Sequence, residues 1–436
     1  MNIPEPILSI MKRLEPHYQV YLVGGFVRDA VWGKESFDVD MCTDSPVQEC
    51  AQIFKDLRPS IYEPYGIKFK HNEYDIEISI LRKETGTQDL RHPEIMEAVD
   101  SIEIDAKRRD FTINTLYCDS EGLIHDPLAA MNDVLGYRLK FVDDPYTRIQ
   151  EDALRILRFY RFIAQHNLNY DRESYKVCKK NIDLLNKLTL RQMRDEFIKL
   201  LMSEGFQELV LSAPWLLSEI FDEYRIAYHF DQKNSYHQYS LYEHSIRVVG
   251  ACPYDESIRL AALFHDLGKL ETQVIEDGQG RYPNHAKVSA AIAQRYLIEM
   301  ELPKKQCLFI VSLIENHTLR FERTTSHFQH LIRKHGEVWV RSLLALKRAD
   351  NASKSSKASY QLDNCDEFDG IVNTIIKENY PVSVQDINAS SEKILELGIK
   401  KEQLSKVKED ILDRLIDGLL ENNEEAILSY CKEAWL

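Results

Sequence analysis

The stretch Tyr21-Leu22-Val23-Gly24-Gly25-Phe26-Val27-Arg28-Asp29, followed by Phe37-Asp38-Val39-Asp40-Met41, decides how the first third of this chain folds. The first segment reads as a strand, a glycine turn and the start of a helix. Paired glycines let backbone N–H groups approach a phosphate, and a helix N-terminus adds a favourable dipole. In a strand, residues two apart point to the same face, so Asp38 and Asp40 set two carboxylates side by side. Like charges that close destabilise each other unless a cation lies between them. Oxygen-only ligation of this kind suits Mg²⁺. Glu77, in the strand-like run Asp75-Ile76-Glu77-Ile78, offers a third carboxylate, and three on adjacent strands make a two-metal phosphoryl-transfer centre. The plainer alternative is a set of exposed strand residues with no ligand.

Outward from this stretch, residues 1–130 alternate short β-rich runs with amphipathic helical segments, which predicts an α+β head. Residues 131–212 turn almost wholly helical, with apolar residues at i, i+3 and i+4 in Glu151–Gln165 and in Leu190–Leu201. A third helical block, 213–370, holds most of the histidines, and 371–436 forms a last helical block. The polar run Asn351–Ser359 reads as a loop.

At 436 residues the chain is too long for one compact core. Its eight cysteines are scattered without a Cys-x-x-Cys pair, the pattern of reduced thiols in a cytoplasmic protein with neither zinc knuckle nor disulfide frame. No apolar run reaches membrane-spanning length, so no membrane partner is expected. The net charge of 55 − 70 = −15 opposes a nucleic-acid partner only in bulk. Local basic clusters (Lys107-Arg108-Arg109, Arg155/Arg158/Arg161, Lys179-Lys180, and Arg341 through Lys357) can still hold phosphates, though any one of them also reads as a solvated helix face. Nothing in the composition sets the oligomeric state.

Four motifs in order carry a family resemblance: Gly24-Gly25-x-Val27-Arg28-Asp29, then Asp38-x-Asp40, then Arg108-Arg109-Asp110-Phe111-Thr112-Ile113-Asn114, then Glu151-Asp152-Ala153-Leu154-Arg155. From about Tyr21 to Leu201 the chain resembles the bacterial class II tRNA nucleotidyltransferase and poly(A) polymerase family. The resemblance implies a polymerase-beta-like head with a small, five-stranded mixed sheet, followed by a helical neck, an HD domain and a helical tail. It implies template-independent addition of CMP and AMP, from CTP and ATP, to the 3′ end of tRNA, with pyrophosphate as product. Asp38 and Asp40 would hold Mg²⁺, and Glu77 would orient the attacking end. Gly25 and Arg28 would lie on the triphosphate, Arg109 on a further phosphate, and Asp110 and Asn114 near the sugar. Arg108 reads at least as well as a plain surface charge.

Asp152 and Arg155 are three apart, which places both on one helical face. Cytosine and adenine share an edge that donates from an exocyclic amine beside a ring nitrogen that accepts. A carboxylate beside a guanidinium matches that edge, and it opposes uracil and guanine at about 1–3 kcal/mol per paired contact. The bland alternative is an i,i+3 surface salt bridge. Arg158 and Arg161 continue the three-residue steps toward the triphosphate, or form ordinary buried pairs. The segment Arg82–Pro93 resembles the family's flexible loop and is not shortened, which favours full CCA addition over CC-only or A-only addition. Two departures from the family pattern stand out: Arg91-His92 where relatives carry two arginines, and Leu190-Arg191-Gln192-Met193 where they carry Glu-Arg.

Glu243-His244-Ser245 and His265-Asp266-Leu267-Gly268-Lys269 resemble the HD phosphohydrolase superfamily, with His285, His317 and Asp350 in the order of its remaining metal positions. Imidazole plus carboxylate suits a transition metal such as Ni²⁺, Mn²⁺ or Fe²⁺. Asn316, standing before His317 where many relatives have a second histidine, points away from a two-metal centre. Asp386–Asn423 resembles the tail that contacts the tRNA elbow. The rival readings are a poly(A) polymerase, a partial enzyme, and an HD phosphohydrolase whose head merely binds RNA.

Overall fold

The computed structural model describes residues 1–87, 89–91, 93–233, 238–354 and 360–436. His92 and the 355–359 part of the polar run, with Lys357 of the basic cluster, lie outside the described residues. The chain separates into two compact units, Met1–Ile220 and Phe221–Leu436.

The first unit is built on a mixed sheet of strands β1 (Val20–Val23), β2 (Asp38–Thr43), β3 (Ser60–Tyr62), β4 (Gly66–His71) and β5 (Tyr74–Ile80). Two more strands are too short to read from sequence, Tyr117–Cys118 and Ile124–His125, and they raise the count from the expected five to seven. The alternation behind β2 and β5 is plain: Val39, Met41, Ile76 and Ile78 are buried, and the acidic residues between them face outward. The two strands pair in parallel with Asp40 opposite Glu77. This register puts the acidic residues of both strands on one face.

Arg82–Thr87 and Pro93–Ala98 form a separate antiparallel hairpin where the sequence suggests a flexible loop. Neither strand has a buried face, so the apolar alternation that marks the other strands is missing. Helices follow: Ile102–Arg108, Pro145–Glu151, Leu154–His166 and Leu190–Leu201. Phe111, Phe141 and Phe159 pack among them with no exposed surface, Phe141 stacking on Phe159 at 5.6 Å. Gln192, the departure noted above, closes a capping box: its backbone N–H donates to Thr189 Oγ1 at 3.2 Å and its Oε1 accepts from the Thr189 N–H at 2.8 Å.

Among its described residues the second unit is helical apart from a small hairpin, Val274–Glu276 with Gln279–Arg281. Helices Leu241–Ala251, Glu256–Phe264, His285–Glu299, Lys304–Asn316 and Glu337–Ala352 gather around the histidines, and Ile394, Val407, Ile411 and Ile427 form the core of the last helices. Among the described residues no helix is long and apolar enough to cross a membrane. All eight cysteines are free and buried.

Candidate active site

Gly24 occupies φ +68°, and a Cβ there would meet Asp40 Oδ2 at 3.0 Å, so glycine is required both by the turn and by the neighbouring carboxylate. The turn opens helix Gly25–Val31, which delivers Arg28. A cavity of about 320 Å³ brings together Gly25, Arg28, Asp38, Asp40, Arg109, Asp110, Asn114, Arg158 and Arg161. The predicted nucleotide-binding residues of the head and two of its three acidic residues therefore share one space. Asp38 is exposed, while Asp40 is half-buried. Burial and then the Glu77 charge push the Asp40 carboxyl upward. A divalent cation relieves that repulsion, and an all-oxygen donor set fits Mg²⁺.

The positive groups of this cavity are fixed by a network. Arg28 donates to Asp29 Oδ1 at 2.8–2.9 Å and to Asn114 Oδ1 at 2.8 Å. Arg158 donates to Asp110 Oδ2 at 2.6 and 2.9 Å and to Glu196 at 2.9 Å, and Arg161 donates to Glu196 at 2.5 Å. Burial opposes ionisation of Asp110, yet Arg158 and the Asn114 hydrogen bond hold its carboxyl well below the usual range. Arg161 thus forms a buried pair and Arg158 a partly exposed one, and both line the cavity. His166 and Lys199 line it too, and the sequence reading missed both. Burial, and then Arg28, Lys34 and Arg161, lower His166 to about 3 and keep it neutral.

Asp105 was also missed. It is fully buried and accepts from Arg108 at 2.8 Å, from Arg109 at 2.9 and 3.1 Å and from Tyr117 Oη at 2.7 Å. Its signal was the i,i+3 and i,i+4 spacing to Arg108 and Arg109 on one helix. Arg108 is consequently no surface charge. Glu77 lines a second cavity, about 270 Å³, shared with Asp40 and Arg109. Its carboxylate accepts from Tyr62 Oη at 2.6 Å and pairs with Lys68 at 2.5 Å.

The predicted base-reading pair differs from expectation in its backbone. Helix Pro145–Glu151 ends at Asp152, which is extended at φ −147°, ψ 103°, and a new helix runs Leu154–His166. The Ala153 N–H donates to Leu90 O at 2.9 Å, a contact from the hairpin turn that sequence spacing cannot foresee. Asp152 and Arg155 therefore do not share one continuous helical face, and they do not pair with each other. Asp152 lies 3.4 Å from Arg91, while Arg155 pairs with Glu151 at 2.7 Å and donates to Arg108 O at 3.0 Å. Both nonetheless line one small pocket of about 70 Å³ with Arg91 and Glu84 of the hairpin segment. Burial raises the Asp152 carboxyl, offset in part by Arg91 and Arg155.

In the second unit the HD residues converge. His244, His265 and Asp350 form one ligand trio, and Asp266, His285 and His317 form another, each with ligand atoms within 4.8 Å of one another. Nδ1 of His265, His285 and His317 donates to the carbonyls of Ala262, Tyr282 and Ile314 at 2.7–2.8 Å, which leaves each Nε2 as the free lone pair facing the carboxylates. Asp350 Oδ1 and His265 Nε2 are buried without a hydrogen bond. This donor set fits a transition metal. Asn316 therefore does not remove the second trio, because His285 and His317 reach Asp266 Oδ1 at 3.3 and 3.5 Å. Burial lowers His317 to about 4, the neutral form a metal requires. Lys269 and Lys354 pair with Asp266 and Asp350 at 2.7 and 2.6 Å, and a cavity of about 550 Å³ opens over the centre.

Fold and sites together define a nucleotidyltransferase-type head followed by helical regions with an HD domain. Residues 20–139 match the poly A polymerase head domain and residues 241–366 the HD domain. The CCA-adding enzyme of Lactobacillus johnsonii is 34% identical over 211 residues, covering 48% of this chain and 53% of the relative. That of Streptococcus suis is 36% identical over 211 residues, covering 48% and 52%. The match spans about half the length of these relatives. The fold is that of the Bacillus stearothermophilus CCA-adding enzyme solved in complex with CTP (20% identity, TM-score 0.67, 99% of this chain and 98% of that one). It is also that of the Thermotoga maritima CCA-adding enzyme complexed with tRNA_CCA (17% identity, TM-score 0.55, 100% and 97%).

Proposed function

We propose that this chain adds CMP and AMP to the 3′ end of tRNA, completing or repairing the terminal CCA from CTP and ATP. One observation carries the reading: Asp40 stands between a cavity walled by Arg28, Arg109, Arg158 and Arg161 and a second cavity holding Glu77. The arginines bind the triphosphate, and Asn114 and Asp110 face its sugar. Glu77 orients the terminal hydroxyl of the RNA, whose oxygen attacks the α-phosphorus. The bond to the β-phosphate oxygen breaks, pyrophosphate leaves, and the hydroxyl proton passes to Glu77 and on to solvent. Asp38 and Asp40 would hold Mg²⁺, which would neutralise developing charge and make the attacking hydroxyl more acidic. Asp152 and Arg155 select cytosine and adenine, once Arg91 yields the carboxylate.

In this reading residues 1–130 are the catalytic head, 131–212 the base-reading neck, 213–370 the HD domain and 371–436 a tRNA-contacting tail, all in the cytoplasm. His244, His265, Asp266 and Asp350 hold a transition metal. The relatives' shared name, CCA-adding enzyme, favours this reading over poly(A) synthesis.

The test is incorporation on tRNA transcripts ending at the discriminator base, at C and at CC, each with Mg²⁺ and CTP, ATP or both. Stepwise growth to one CCA and then a stop is the expected result. Growth confined to CC, or to a last A, would make it a partial enzyme, and long A-tails a poly(A) polymerase. An absence of growth would leave the HD centre as the working site.

A further inference from the structure

The helix Arg172–Lys180 carries basic residues that no step of the proposed reaction uses. We infer that its outer face is a docking surface for the sugar–phosphate backbone of base-paired RNA, the helical stem of the acceptor whose 3′ end is extended. The inference rests on the nucleotidyl-transfer reading.

Charge pattern is the first argument. Ser174 and Cys178 are buried, and Arg172, Lys176 and Lys180, four residues apart, form one row on the opposite side of the helix with Lys179 beside it. All four are exposed. Among the described residues Arg172, Lys179 and Lys180 meet no carboxylate, and Lys176 reaches Glu173, at the border of the row, at 4.0 Å. In a chain of net charge −15 this is a local reversal of sign. Helix stability explains only part of it. Lys179 and Lys180 suit the C-terminal end of the macrodipole, but Arg172 stands in the first turn, where a cation is unfavourable. A row rising about 6 Å per step follows the run of phosphates along one strand, and binding there gains from counterion release.

The neighbouring rings set which form of RNA fits. Tyr170 stacks on Tyr175 at 4.6 Å, Tyr175 meets Trp215 edge-on at 6.5 Å, and Lys179 Nζ lies 3.7 Å from the centre of the Trp215 ring. Faces of Tyr175 and Trp215 that could stack an unpaired base are therefore taken, and single-stranded RNA depends on such faces. Paired RNA offers its backbone and 2′-hydroxyls instead, which a row of cations contacts without reading sequence. An anionic membrane fits less well. A helix that binds one lays an apolar face into it, and the side opposite this row is buried in the protein. Place in the fold is the last argument. The helix packs against Pro145–Glu151, which ends at Asp152 in the base pocket. Packed helix axes lie about 8–10 Å apart, so the row is within reach of a stem whose 3′ end meets the incoming nucleotide.

The experiment uses the full chain and compares wild type with Arg172→Gln/Lys176→Gln/Lys180→Gln. A control, Lys287→Gln/Lys304→Gln/Lys305→Gln, removes the same charge from exposed residues elsewhere. The Kd of a tRNA transcript ending at CC is measured from about 0.05 to 0.2 M salt, beside the Kd of CTP and that of a single strand with the same 3′ sequence. The triple variant is expected to bind the transcript at least about tenfold more weakly at ~0.1 M salt, with the salt slope reduced by about 3. CTP and the single strand should bind as before, and the control should match wild type. An unchanged slope overturns the surface, as does equal loss on the single strand or equal loss in the control. Wild-type cosedimentation with phosphatidylserine vesicles that the triple variant loses would overturn it in favour of a membrane. If the triple variant does not fold, Lys176→Gln alone is expected to lower the slope by about 1, and no change overturns the surface. Wild-type protein that binds the transcript but incorporates nothing overturns instead the nucleotidyl-transfer reading.

Discussion

Asp38 and Asp40 in the head border an open cavity, Asp38 exposed on its strand, whereas in the second unit the buried Asp266 and the largely buried Asp350 sit among four histidines. The Asp38–Asp40 pair offers only oxygen donors, and the arginines near it are held by Asp105, Asp110 and Glu196 rather than by that pair. In the HD centre the aspartates are met directly by Lys269 and Lys354. An open, oxygen-only pair suits a hard cation that arrives with its triphosphate and leaves with pyrophosphate. A buried imidazole–carboxylate pair of trios suits a resident ion that seldom exchanges.

The strongest way to break this contrast is Asp40→Asn. Incorporation of labelled CTP is expected to fall by about three orders of magnitude or more, the scale of losing a centre that stabilises transition-state charge, while the thermal unfolding midpoint does not drop. Retained activity would remove the metal role of the head. Next comes His265→Ala, expected to weaken transition-metal binding by at least about 10–100-fold, read as metal content after dialysis against a weak chelator. The same dialysis should strip head activity reversibly, with Mg²⁺ alone restoring it, and recovery that needs a transition metal would erase the distinction.

A smaller effect sharpens the account of the base pocket. Asp152→Ala is expected to cost about 1–3 kcal/mol of discrimination, roughly 5- to 150-fold in the ratio of kcat/KM for CTP over UTP. An unaltered ratio would place base selection elsewhere. The smallest effect is on stability. His166 titrates near 3 when folded and near its ordinary 6.5 when unfolded, so the unfolded chain takes up the proton first as pH falls. Its contribution is complete above pH 6.5 and is lost between 6.5 and about 3. In urea titrations across that window, wild-type protein should lose stability more steeply than His166→Asn, and equal slopes would contradict the assignment.

Much of this was legible in the sequence, for reasons that differ between residues. The Asp40–Glu77 juxtaposition followed from period-two alternation with buried Val39, Met41, Ile76 and Ile78. The HD residues were found through their order along the chain, whereas the convergence of His285 and His317 on Asp266 comes from separate helices that no local spacing relates. Arg108 was misread because the group that neutralises it, Asp105, is a buried acid with no motif of its own. The helical reading of Asp152 failed for a non-local reason, since Leu90 captures the backbone N–H that would have continued the helix.

That interruption has a geometric consequence. Were Asp152 and Arg155 on one continuous helix, the pitch would fix the gap between them, and a fixed gap is a ruler cut to one ring size. Residues on either side of a backbone joint are instead two jaws of a caliper. Rotation at Asp152 and Ala153 changes the opening without melting a helical turn, so that under the proposed function the same two side chains would gauge a pyrimidine and a purine.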